Sequence, residues 1–131
     1  MVDEGKKPAL LVVEDDYDSQ KFLQLFLRRE FNVEVCDSSE TFYAILENQK
    51  IDIILMDISL RGTKNGLELT SEIKADENYK SIPVVVLTAH AFHKDKESAY
   101  KAGVDAFLTK PVQNDILLST LIKILKNTEE E

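Results

Sequence analysis

Five short, almost purely apolar runs alternate along this chain with longer amphipathic stretches, and that alternation admits few folds. The runs are Ala9 to Val13, Val33 to Cys36, Ile51 to Met56, Ile82 to Leu87 and Val104 to Leu108. Val and Ile dominate them, which suits strands. Several lack the alternating polar positions of a one-sided sheet and so read as buried on both faces. Between the runs, Phe22, Leu23, Phe26 and Leu27 repeat at helical spacing, as do Phe42, Ile45 and Leu46, then Leu69 and Ile73, and finally Leu117, Leu121, Ile124 and Leu125. Each stripe can cover a sheet face, so the pattern predicts an α/β fold with a parallel sheet between two helical layers.

Local signals refine this reading. Asp37 with Glu40 three residues later predicts a capping box ahead of the second helix, and Asn65 with Gly66 marks a turn before the third. The fourth helix, about Lys94 to Lys101, has only Phe92, Ala99 and Tyr100 as apolar candidates and is expected to be the most mobile. Pro83 is second in its apolar run, a place tolerated only near a strand start or at an edge.

With 131 residues and 44% hydrophobic content, the chain holds enough apolar material for one domain, expected over 8–126. Residues 1–7 are expected to be a disordered start and 127–131 a frayed acidic tail. A formal charge of -8, from 24 acidic against 16 basic residues, argues against a broad grip on nucleic acid. No apolar run approaches the roughly 18 residues of a membrane span. The polar stretch Met1 to Lys7 lacks a secretory signal's apolar core, so a cytoplasmic location is expected. Cys36 is the single cysteine, which excludes an internal disulfide or a multi-cysteine metal site and reads as a small buried apolar residue.

Open parallel sheets bind ligands beyond the carboxyl ends of their strands, where strand order reverses. The first run ends in Glu14, Asp15 and Asp16, the third in Asp57, the fourth in Thr88, and the fifth in Lys110 followed by Pro111. If the first and third strands are neighbours, their carboxylates converge. Two like charges about 4 Å apart repel by roughly 4 kcal/mol at an effective dielectric near 20. Compensation comes from Lys110 and from a hard divalent cation, for which Mg²⁺ with retained waters is the natural choice; the alternative is protonation of one carboxyl group. A carboxylate beside Mg²⁺ can attack phosphorus, and Asp57 is placed for that role. Thr88 can donate a hydroxyl hydrogen bond to a phosphoryl oxygen and Lys110 can contact another.

At these residues the chain resembles the response-regulator receiver family of two-component signalling. The segments that carry the resemblance are LVVEDD (Leu11 to Asp16), ILMDISL (Ile54 to Leu60), NGLEL (Asn65 to Leu69), VVVLTAHA (Val84 to Ala91) and AGVDAFLTKP (Ala102 to Pro111), in that order and spacing. The resemblance implies a flavodoxin-like doubly wound sheet of five parallel strands, order 2-1-3-4-5, with five helices. It further implies that Asp57 is the phosphoacceptor. Asp15, Asp57 and the backbone carbonyl of Ser59 would ligate Mg²⁺, and Glu14 would act mainly through water. Asp16 looks peripheral. Thr88 and Phe107 match the family's switch pair, and Lys110 matches its phosphate-contacting lysine, joined to Pro111 by a bond usually cis. Implied partners are a histidine kinase or histidine phosphotransfer protein as donor. A downstream protein target would bind the fourth helix, fifth strand and fifth helix, including Tyr100 and Lys101. Arg61 stands where the family commonly has Pro, and the loop to Gly66 reads as one residue longer. Ser59 and His90 occupy positions that tune phosphoryl gain and loss.

Three other readings have distinguishable signatures. An aspartyl-phosphate phosphatase of the haloacid-dehalogenase kind would carry a second Asp two residues after the nucleophile, where this chain has Ser59. A receiver-like module that is never phosphorylated would not need the acidic, hydroxyl and lysine set retained here. A flavin-binding relative would need a phosphate loop rich in hydroxyls and glycine, whereas Glu14 to Ser19 is acidic. His90 and His93 read as exposed loop histidines rather than phosphohistidines or metal ligands.

Overall fold

The computed structural model describes residues 6–60, 64–89 and 93–129. Strands and helices alternate as β1 (Ala9–Val13), α1 (Tyr17–Leu27), β2 (Asn32–Cys36), α2 (Ser39–Asn48), β3 (Ile53–Met56), α3 (Gly66–Lys74), β4 (Val84–Thr88), α4 (His93–Ala102), β5 (Ala106–Thr109) and α5 (Asn114–Glu129). All strand pairs are parallel and the order is β2-β1-β3-β4-β5, so the direction of winding reverses between β1 and β3.

Successive residues of a strand face opposite sides of the sheet, and β1 shows how that builds two cores. Leu10 and Val12 join Leu23 and Leu27 of α1 and Leu117 and Leu121 of α5. Leu11 and Val13 join Phe42 and Leu46 of α2, Leu69 and Ile73 of α3, and Ala99 of α4. The central strands β1, β3 and β4 are buried almost throughout, as their unbroken apolar runs predict. The edge strands β2 and β5 are partly exposed.

Several boundaries differ from the sequence expectation. The capping box of α2 is built by Ser38 and Thr41 rather than Asp37 and Glu40, because β2 continues through Cys36 and leaves Ser38 with the extended backbone an N-cap needs. Pro83 lies just ahead of β4, which begins at Val84, so its missing N–H removes no bond inside the ladder. Val104 precedes β5 and closes the end of α4, its N–H donating to the Ala99 carbonyl. The α4 helix opens at His93, so that histidine is exposed but helical, paired with Glu97 at 2.9 Å. At the chain's start, Lys7 donates from Nζ to the Arg28 carbonyl at 2.9 Å. At its end, α5 runs to Glu129, three residues past the domain limit of 126.

Candidate phosphoryl and cation site

The ladders on both sides of β1 run one step past the strands. The Asp57 N–H donates to the Val13 carbonyl at 3.0 Å, and the Glu14 N–H donates to the Cys36 carbonyl at 3.0 Å. Both carboxylates thus leave neighbouring strands at the same end of the sheet. On the other side, the Lys110 N–H donates to the Thr88 carbonyl at 2.8 Å and extends the β4–β5 ladder toward them. The Lys110 ammonium then reaches Glu14 Oε1 at 2.6 Å and Asp57 Oδ2 at 3.2 Å. Residues 96 and 53 positions apart in the chain meet at one nitrogen.

Each carboxylate is further fixed by backbone. Asp57 Oδ1 accepts from the Ser59 N–H at 3.1 Å, and Glu14 Oε2 accepts from the Asp16 N–H at 3.1 Å. The Glu14 carbonyl accepts from Gln20 Nε2 at 2.5 Å, and Asp16 caps α1 by accepting from the Ser19 N–H at 2.9 Å. Asp16, expected to be peripheral, has this positioning role at the helix start, and Gln20 is a supporting residue the sequence reading passed over. The Asp16 and Ser19 cap spacing was the available signal for the first; nothing in sequence marked the second.

Glu14 is 3% exposed and Asp57 8%, so their charges interact through little water. Burial pushes the Glu14 carboxyl above its usual range, aided by the Asp57 charge and opposed by the bonds from Lys110 and the Asp16 amide. Burial pulls the Lys110 ammonium down, but its bonds and charge contacts with Glu14 and Asp57 outweigh that and hold it above its ordinary value. Lys110 returns one positive charge against two negative ones from Glu14 and Asp57, and half-buried Asp15, next to Glu14 in the chain, adds a third acidic group.

Among the described residues no three His, Cys, Asp or Glu side chains cage a metal by themselves. The donor set still fits a hard cation that keeps most of its water, since Mg²⁺ takes oxygen ligands and needs only one or two carboxylates. Thr88 is fully buried at the end of β4. Phe107, half-buried in β5 opposite Val86, packs on the core covered by α2, α3 and α4. It also lines a cleft of about 510 Å³ with His93 and Lys96. The Lys110–Pro111 bond is cis, as the resemblance implied. Arg61 and His90 lie outside the described residues.

Residues 10–122 match the family described as the response regulator receiver domain. This chain is a receiver domain of that family. Curated relatives agree: a heme response regulator, HssR, of Staphylococcus saprophyticus is 34% identical over 117 residues, covering 88% of this chain and 50% of that protein. A hybrid signal transduction histidine kinase of Dictyostelium discoideum is 36% identical over 131 residues, covering 92% of this chain and 7% of the kinase. The receiver chain therefore spans half or less of these two relatives. Among solved structures, a putative response regulator from Chloroflexus aurantiacus superposes with a TM-score of 0.87 at 27% identity, covering 92% of this chain and 99% of that one. A receiver domain protein described as CheY-like, from Methanospirillum hungatei, gives a TM-score of 0.87 at 25% identity, covering 95% and 98%. Within the described part of this receiver, no helix is long and apolar enough to cross a membrane.

Proposed function

We propose that Asp57 is the phosphoacceptor of this receiver, taking a phosphoryl group from a phosphohistidine donor. The observation that carries the reading is the single ammonium of Lys110 shared between Glu14 Oε1 at 2.6 Å and Asp57 Oδ2 at 3.2 Å, a buried and under-neutralised acidic pair. A carboxylate oxygen of Asp57 attacks phosphorus as the phosphorus–nitrogen bond of the donor breaks, and the imidazole nitrogen leaves with the bond's electron pair. The Ser59 N–H keeps the Asp57 carboxylate oriented through Oδ1. Lys110 exchanges its contact with Asp57 for one with a phosphoryl oxygen, and the Thr88 hydroxyl donates to another. Asp15, Asp57, the Ser59 carbonyl and Glu14 are the groups that would hold Mg²⁺, which when bound would supply neutralising charge for the phosphoryl oxygens.

New charge-assisted hydrogen bonds of about 1.5 to 3 kcal/mol each suffice to shift a two-state equilibrium ten-fold or more. The shift runs through Thr88 and Phe107 to the surface of α4, β5 and α5, where Tyr100 and Lys101 meet a downstream protein. A histidine kinase or histidine phosphotransfer protein is the donor, and the module catalyses only its own phosphorylation and dephosphorylation in the cytoplasm. Incubation with acetyl phosphate and Mg²⁺ tests this: the wild type gains one hydroxylamine-labile phosphoryl group, whereas Asp57→Asn, or removal of the cation by chelation, reduces uptake at least about hundred-fold. Undiminished uptake by Asp57→Asn would refute the assignment.

A further inference from the structure

The α1 helix carries a second pattern besides the one that buries Leu23 and Leu27. Asp18, Phe22, Leu25 and Arg29 follow one another at spacings of four, three and four, which places them on one stripe of a helix. Arg29 stands just past the helix, but Arg28 before it keeps helical backbone angles, so the stripe runs on. The stripe faces outward. Phe22 is 52% exposed and Leu25 60%, while Asp18 and Arg29 are exposed at its two ends. Phe22 is also stacked on Phe26 with ring centroids 6.0 Å apart, which keeps this ring against the surface. A groove of about 440 Å³ flanks the upper half, lined by Asp18, Phe22 and Lys110. Another of about 860 Å³ flanks the lower half, lined by Leu25, Phe26, Arg29 and Leu118.

Large apolar side chains held this far into water at consecutive seam positions mark a contact surface. What distinguishes this surface is its internal symmetry. A two-fold axis passing between Phe22 and Leu25 sets Asp18 of one copy opposite Arg29 of the other and Phe22 opposite Leu25. The spacing is that of a heptad seam, in which alternate steps of four and three keep the seam facing its partner. An isologous contact requires such a self-complementary patch, with acid at one end, base at the other and apolar groups between.

We propose that a second copy of this chain docks antiparallel on α1, with Asp18 of each copy against Arg29 of the other and Phe22 of each against Leu25 of the other. Lys21 and Arg28 flank the seam as like charges. Lys21 is already drawn back over the Tyr17 ring, 5.3 Å from its centroid, and Arg28 is exposed. With two apolar pairs and two ion pairs the contact is small, so the dimer is a weak one, with a dissociation constant of about 100 μM. The inference stands independently of the role proposed for Asp57, because it concerns the unphosphorylated chain.

Sedimentation equilibrium of the whole chain over a concentration series from about 10 μM to 1 mM tests it, with charge exchange as the specific probe. Asp18→Arg sets Arg against Arg29, and Arg29→Asp sets Asp against Asp18, twice in each dimer. Each change alone weakens association by about ten-fold or more, and the double exchange restores it to within a few-fold of wild type. Phe22→Ser abolishes association. Thermal melts of all variants check that the exposed positions leave the fold intact. A wild-type chain that remains monomeric throughout the series overturns the proposal and leaves the stripe to a helix of another protein. Association that is indifferent to both single exchanges also overturns it, by placing the contact elsewhere.

Discussion

A methyl group built on Gly66 would lie 2.1 Å from the carbonyl oxygen of Asp57 and 2.9 Å from the Met56 side chain. The first neighbour is backbone and has no rotamer to yield, so α3 and the end of β3 approach each other only because position 66 lacks a side chain. The Gly66 N–H also donates to the Ile58 carbonyl at 2.9 Å, fixing the far end of the loop that leaves Asp57. Gly66→Ala is therefore expected to cost at least about 3 kcal/mol of stability, measured by urea unfolding, and to lower the yield of phosphorylated protein. Cys36 gives a second prediction at this scale. Burial pushes its thiol up from 9.0 to about 12, chiefly by desolvation. The folded thiol thus stays protonated where the unfolded one ionises, so its contribution to stability is whole below pH 9 and is lost as pH rises toward 12. Alkylation by iodoacetamide at pH 8 should be slower than for the urea-unfolded chain by at least about ten-fold, in mass-spectrometric time courses. The meeting of Glu14, Asp57 and Lys110 was readable from sequence because strand ends are fixed by the apolar runs. The Gly66 contact was not, since a turn signal says nothing about which backbone the turn will meet.

At the scale of elements, the three central strands were legible because double burial leaves an unbroken apolar run, as in Val84–Thr88. Edges were harder. Ile51, expected in β3, is buried but precedes the strand, because Asp52 turns aside to let its N–H donate to the Ala9 carbonyl and its carboxylate accept from the Ala9 N–H. The α2 cap was expected from Asp37 with Glu40 and forms one residue further on, from Ser38 with Thr41, because the end of β2 sets where the helix can start. Long-range polar ties left no sequence signal. Lys74 donates from Nζ to the Ile82 carbonyl at 2.8 Å and to Asp105 Oδ2 at 3.3 Å, and Asp105 in turn accepts from the Val84 N–H at 2.8 Å. One side chain thereby joins the end of α3 to the entries of β4 and β5. Lys74→Met keeps the apolar stem and removes the donors, and is expected to cost about 1 to 2 kcal/mol in urea unfolding while leaving phosphoryl uptake intact. Lys64 pairs with Glu72 at 2.7 Å beside Tyr43, whose hydroxyl also donates to Glu72 and so ties α2 to α3.

For the whole molecule, two apolar layers hold a sheet whose carboxyl ends gather charge that the rest of the fold does not need. The Glu14 and Asp57 carboxylates sit beside each other against a single ammonium, an arrangement that opposes folding and persists because the sheet order forces it. The sheet order followed from the alternation of elements and from the resemblance together, since alternation alone fixes parallel strands but not which of them are neighbours. On the proposed function, this crowding makes Asp57 the oxygen nucleophile. The most direct measurement is to treat the protein with acetyl phosphate and Mg²⁺, reduce it with borohydride so that an aspartyl phosphate becomes homoserine, and sequence the peptides by mass spectrometry. The account predicts homoserine at position 57 and nowhere else; homoserine at position 15 or 16, or phosphate retained on a histidine or a hydroxyl residue, would contradict it.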